Sequence, residues 1–135
     1  MKLYVDKNLN IDPDKIKLIG EFCIFCAEKL PIVGNFDIHV TADRSKHGIT
    51  TTAAYEVNNN TCRIYGKNRA LVDICRSIAH EMTHMMQDET GLLTGHIQDA
   101  GGFHEDQANA KAGELIKRFA KSKVGRRAIY ERRNY

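Results

Sequence analysis

The sequence predicts an α+β fold, and three observations carry that prediction. Apolar residues recur at steps of three and four from about residue 12 to 30, then alternate at strand spacing between about 36 and 65. The helical period returns over about 70–90 and again from about 105 to 120, so a block of strands lies between helical segments.

With 135 residues, the chain is long enough for one core and too short for two, and residues 1–135 are read as a single domain. A hydrophobic share of 42% and a charged share of 27% match an ordinary globular chain and exclude the disordered and membrane classes. No apolar run approaches the roughly 18 residues that span a bilayer. The first seven residues lack the apolar centre of a secretory signal, so a cytoplasmic protein without a membrane partner is expected.

Asp12 followed by Pro13 reads as a helix cap with proline in the first turn. Ile16, Ile19, Cys23, Cys26 and Leu30 then form one apolar stripe, and Pro31 ends the helix. Phe36, Ile38 and Val40 alternate with Asp37, His39 and Thr41, the period of a half-buried strand. From Ile49 to Val57 a second alternation places Ile49, Thr51, Ala53, Tyr55 and Val57 on one face. Asn58, Asn59 and Asn60 predict a turn, because asparagine tolerates left-handed backbone, and Thr61 to Tyr65 is the returning strand. The expected sheet is three-stranded and mainly antiparallel. Thr50 to Thr52 and Glu56 lie where an edge can align an extended peptide.

The next helix runs from about Ala70 to Thr90, with Gly91 as its C-cap. Leu71, Ile74, Cys75, Ile78, Met82 and Met85 make its apolar stripe, with Asp73, His80, His84 and Gln87 to one side. A loop from Gly91 to Gly102 leads to the last helix, where Glu105, Ala108, Ala112, Leu115 and Phe119 share a side. Small alanines permit close approach to the preceding helix, which brings the Glu105 carboxylate within reach of His80 and His84. Gly125 ends this helix.

Cys23, Cys26, Cys62 and Cys75 are expected as free, half-buried thiols of a reducing compartment, because the Cys23/Cys26 pair has no second CxxC to complete a metal cage. Net charge is +3 but unevenly placed. Nine basic residues between 111 and 135 face only Glu114 and Glu131 there. The segment from about 121 to 135 is read as a solvated basic face, removable after about Ser122 without loss of fold. The same charge offers a surface for an acidic partner or nucleic acid.

The chemistry concentrates in His80-Glu81-Met82-Thr83-His84, an HExxH motif. Helical residues four apart are separated by about 40° around the axis and roughly 6 Å along it, so both imidazoles leave one face and can converge on one ion. Glu81 sits beside that face, where its carboxylate addresses water at the ion and not the ion itself. Zinc held this way needs a third protein ligand. His96, Asp99, His104 and Glu105 are candidates, with Asp106 a weaker one. The metzincin pattern is excluded, since Gln87 and Thr90 stand where its glycine and third histidine belong. His96, His104 and Tyr55 are candidate stabilisers of an oxyanion.

His80-Glu81-Met82-Thr83-His84 followed by Glu105-Asp106-Gln107-Ala108-Asn109 resembles the ImmA/IrrE group of small gluzincin metallopeptidases, in which E-x-x-A-N opens the helix after HExxH. The resemblance covers about residues 12 to 120, although the apolar-proline ending common after that group's second motif is replaced by Glu114-Leu115-Ile116-Lys117. It implies a minimal zincin fold, one Zn2+ per chain on His80, His84 and Glu105, Glu81 as catalytic base, and a protein or peptide substrate. Compact zincins of this kind are common in phage genomes. His80-Glu81-Met82 with Gln87, Gly95-His96 and His104 also resembles SprT-like metallopeptidases, which implies a histidine third ligand and DNA-bound protein substrates. The glycine and aromatic residues that follow the SprT-type histidine are missing, since Phe103 precedes His104.

Overall fold

The computed structural model describes residues 1–44, 52–91 and 102–131. In chain order its elements are β1 (Lys2–Val5), α1 (Pro13–Lys29), β2 (Asp37–Thr41), β3 (Ala53–Glu56), β4 (Thr61–Tyr65), α2 (Leu71–Glu89) and α3 (Phe103–Ser122). Single 3-10 turns occupy Lys7–Leu9 and Arg126–Tyr130.

The α+β class holds, but the sheet differs from the expected three antiparallel strands. Among the described residues it has four, in the order β1-β2-β4-β3, and only β3 and β4 pair antiparallel. The physical reason is the connection between strands. Helix α1 carries the chain back across the sheet, so β2 enters alongside β1 in the same direction, Leu3 opposite Ile38. Strand β3 then takes the outer edge, which leaves β4 to pair parallel with β2, Ile38 opposite Cys62. The asparagine turn between β3 and β4 forms as anticipated, with Asn60 at φ +47°. The segment expected to begin the second strand, 49–51, lies outside the described residues.

The inner face of the sheet carries Ile38, Val40, Cys62 and Ile64, all buried. Against it pack Ile19, Phe22, Cys23 and Cys26 of α1 and the expected α2 stripe, including Ile74, Ile78, Met82 and Met85. The outer face is polar: Tyr4 stacks on His39 with ring centroids 4.5 Å apart, and Arg63 pairs with Glu56 at 2.5 Å. Asp12 caps α1 by accepting from the Asp14 amide at 2.9 Å. Gly91, at φ +75°, closes α2 in the left-handed region that suits glycine.

The four thiols are free, and all are fully buried rather than half-buried. Burial pushes the Cys23 thiol up to about 12 and raises the other three well above the usual thiol value. They are apolar packing groups held in the protonated form. No helix among the described residues is long and apolar enough to cross a membrane.

The basic C-terminal segment is less solvated than its composition suggested. Lys121, Lys123 and Arg127 are exposed, yet Ile129 is fully buried in the core. The Arg126 guanidinium lies 4.4 Å from the Phe119 ring centroid and 3.3 Å from Glu21. Lys15 pairs with Glu131 across the same junction. The turn over Arg126–Tyr130 therefore clasps α1 to α3. Arg132 and Arg133 lie outside the described residues.

Candidate metal centre

The centre is built where α2 meets α3, the most extensive helix packing in the structure. Ala108 and Ala112 are buried on α3, and the lack of side-chain bulk allows the close approach. On α2, His80 and His84 project one turn apart with their Nε2 atoms 3.2 Å from each other. Glu105, in the first turn of α3, spans the pair, with Oε1 2.7 Å from His84 Nε2 and Oε2 3.2 Å from His80 Nε2. These three side chains lie close enough to bind one metal ion, their ligand atoms all within 4.8 Å of one another. They form the one such group among the described residues.

The donor set fits a zinc-like ion. Two imidazole nitrogens and a carboxylate are the protein ligands of an open zinc site. Lone pairs crowded this closely repel unless a cation or a proton lies among them. A proton is a poor substitute at His80, whose pKa is lowered by burial and by His84, with Glu105 and Asn109 opposing.

Glu81 follows His80 in the chain but does not join the trio. Its nearer oxygen is 3.8 Å from His80 Nε2, beyond hydrogen-bonding range, and the residue is 8% exposed. Burial pushes its carboxyl up to about 7; Glu105 adds to the rise and His84 opposes it. A carboxyl poised there suits proton transfer at neutral pH. Beside it opens a cleft of about 320 Å³, bounded by Thr52 and Ala53 on the strand side, Ser77, His80 and Glu81 on α2, and Asn109 on α3.

The other sequence candidates fall differently. His104 is adjacent to Glu105 but outside the trio, and its Nδ1 is buried with no hydrogen-bond partner among the described residues. Asp106 is exposed. His96 and Asp99 lie outside the described residues. Tyr55, a candidate oxyanion donor, is committed elsewhere: its hydroxyl donates to Asp88 Oδ2 at 2.7 Å. Asp73 pairs with Arg76 at 2.9 Å, and both line the same cleft as His80 and Glu81.

Two residues beside the centre carried no role from sequence reasoning. Gln87 is fully buried, with Oε1 2.8 Å from His84 Nδ1. Asn109 lines the cleft beside His80 from the far helix. The available signal was position: Gln87 stands three residues after His84, on the same helix face.

No protein-family model, no curated protein and no solved structure matches this chain.

Proposed function

We propose that the protein is a zinc-dependent metallopeptidase that hydrolyses peptide bonds in a protein substrate. The observation that carries this reading is the buried Glu81 carboxyl beside the His80, His84 and Glu105 trio, since a purely structural zinc site has no use for a base. When bound, zinc supplies Lewis-acid chemistry, acidifying water and polarising the scissile carbonyl. Glu81 takes a proton from the attacking water and returns it to the leaving amine. Its burial keeps proton affinity near neutrality, so one carboxyl serves as base and then as acid. Strand β3, on the sheet edge by the cleft, offers backbone groups to an extended peptide.

A glutamate third ligand, in the manner of the ImmA/IrrE-like gluzincins, is supported by Glu105 lying inside the trio and His104 outside it. The SprT-like alternative draws less support among the described residues. The test is metal analysis of the purified chain together with mass-spectrometric search for new peptide termini in a peptide library, with and without a chelator. Zinc-dependent cleavage by wild type that Glu81→Gln lacks is the expected result. A chain that binds no zinc, or cleaves equally well with the substitution, would overturn the reading.

A second reading concerns targeting. Lys117, Lys121, Lys123 and Arg127 are exposed, whereas Lys111 and Arg118 share Glu114. That excess suits an anionic partner such as nucleic acid, and retention on DNA that falls steeply with added salt is the expected signature.

A further inference from the structure

We propose that Gln87 is a positioning residue of the metal centre: its single amide selects the His84 tautomer that leaves Nε2 bare and holds the first turn of α3 where Glu105 meets it. This rests on the reading of His80, His84 and Glu105 as metal ligands.

The assignment follows from what each partner can do. A backbone carbonyl only accepts, and the His104 carbonyl lies 3.0 Å from Gln87 Nε2, so that atom is the NH2 of the amide. The remaining amide atom is then the oxygen, 2.8 Å from His84 Nδ1. An oxygen offers no hydrogen, so Nδ1 must carry one. A neutral imidazole protonated at Nδ1 has its lone pair on Nε2, the atom that faces His80 and Glu105. The second amide hydrogen goes to Gln107 Oε1 at 2.8 Å. Free imidazole side chains favour hydrogen on Nε2, the tautomer that would block the metal side, and the Gln87 oxygen reverses that preference.

The same amide acts on Glu105 through the backbone. His104 immediately precedes Glu105, and among the described residues no side chain caps α3, whose N-cap is Gly102. The Gln87 bond to the His104 carbonyl therefore tethers the helix end that carries the third ligand. Gln87 is 0% exposed, so an apolar replacement leaves buried groups on both helices without a partner.

The experiment uses the full chain with 15N-labelled histidine, in which long-range proton–nitrogen correlations report which ring nitrogen carries hydrogen. In a metal-free Glu105→Ala chain, where no carboxylate competes for hydrogen at Nε2, His84 should be protonated on Nδ1 about two pH units above the ordinary imidazole value. Gln87→Leu should shift the hydrogen mainly to Nε2 and weaken zinc binding, measured by competition with a chromophoric chelator, by about 10–100-fold. Gln87→Glu keeps an acceptor toward Nδ1, so the tautomer should persist while zinc affinity still falls, because a carboxylate cannot donate to His104. Should Gln87→Leu not fold, the tautomer of the Glu105→Ala chain and the Gln87→Glu affinity decide the matter. Hydrogen on Nε2 in the Glu105→Ala chain, or unchanged tautomer and zinc affinity within about twofold in Gln87→Leu, would overturn the role of Gln87. Hydrogen on Nδ1 there, beside a wild-type chain without zinc affinity, would overturn the metal centre itself, and this role with it.

Discussion

Glu105 Oε1 lies 2.7 Å from His84 Nε2, although the two residues belong to different helices joined by a long connection. That contact exists because α3 starts against the side of α2 that presents the histidines. It turns a two-histidine motif into a group of three side chains close enough to bind one metal ion.

The first prediction tests that contact. Glu105→Ala leaves only two ligands, so zinc affinity should fall by more than the roughly 10–100-fold typical of losing an outer-shell partner. His104→Ala should keep about one zinc per chain. Titration against a competing chelator measures both, and the opposite ranking would move the third ligand to His104.

Glu81→Gln should bind zinc as wild type does but lose hydrolysis by about 10²–10⁴-fold or more, because an amide can hydrogen-bond water without accepting its proton. Rates are measured on any peptide that wild type cleaves. Loss of zinc alongside activity would mean that Glu81 supports the site and not the proton transfer.

Glu81 also predicts a pH signature. Its folded value, about 7, lies above the ordinary 4.5, so between these the folded chain keeps a proton that the unfolded chain has released. The Glu81 contribution to stability is thus present at low pH, declines as pH rises through that window and is flat above it. His80, with a lowered value, works in the opposite direction, which makes the difference between variants the clean measurement. In urea unfolding without metal, the stability of Glu81→Gln minus that of wild type should grow from about pH 4.5 to 7 and then level. A pH-independent difference would show that the Glu81 carboxyl is not shifted.

The C-terminal turn should prove structural. Ile129→Ala removes a fully buried side chain and should cost about 2–5 kcal/mol. Truncation after Ser122 removes Ile129 together with the Arg126 contacts to Phe119 and Glu21, and should lower the Tm by at least about 5 °C. An unchanged midpoint in the truncated chain would return this segment to the solvated face that its composition suggests.

The local elements were legible in sequence because their signals are local. Asp12 and Pro13 mark a helix start, Asn60 takes the left-handed turn, and Gly91 closes α2, each through its own backbone preference. The apolar stripe of α2 and the four-residue step between His80 and His84 follow from helix geometry alone. Strand β1 was missed because four residues alternating between exposed and half-buried positions give too short a pattern against polar neighbours.

What only the tertiary structure decided is partnership. Alternation identifies a strand but not its neighbour, so the parallel pairings of β2 with β1 and β4 depended on where α1 and β3 cross the sheet. Charge content could not distinguish a solvated arginine from Arg126, stacked on Phe119 beside buried Ile129. His96, Asp99, His104, Glu105 and the weaker Asp106 are all residue types able to hold zinc, and only the small alanines on the Glu105 side favoured one of them. The approach of α3 to α2 brought Glu105 to the histidines and left His104 and Asp106 outside, because residues one apart on a helix point about 100° apart. Sequence by itself determined which side chains are available to hold an ion, since that is a property of residue type and helical step. Which of them meet is a property of packing between segments far apart in the chain, and Gln87, buried between α2 and α3, reaches His104 and Gln107 through that packing.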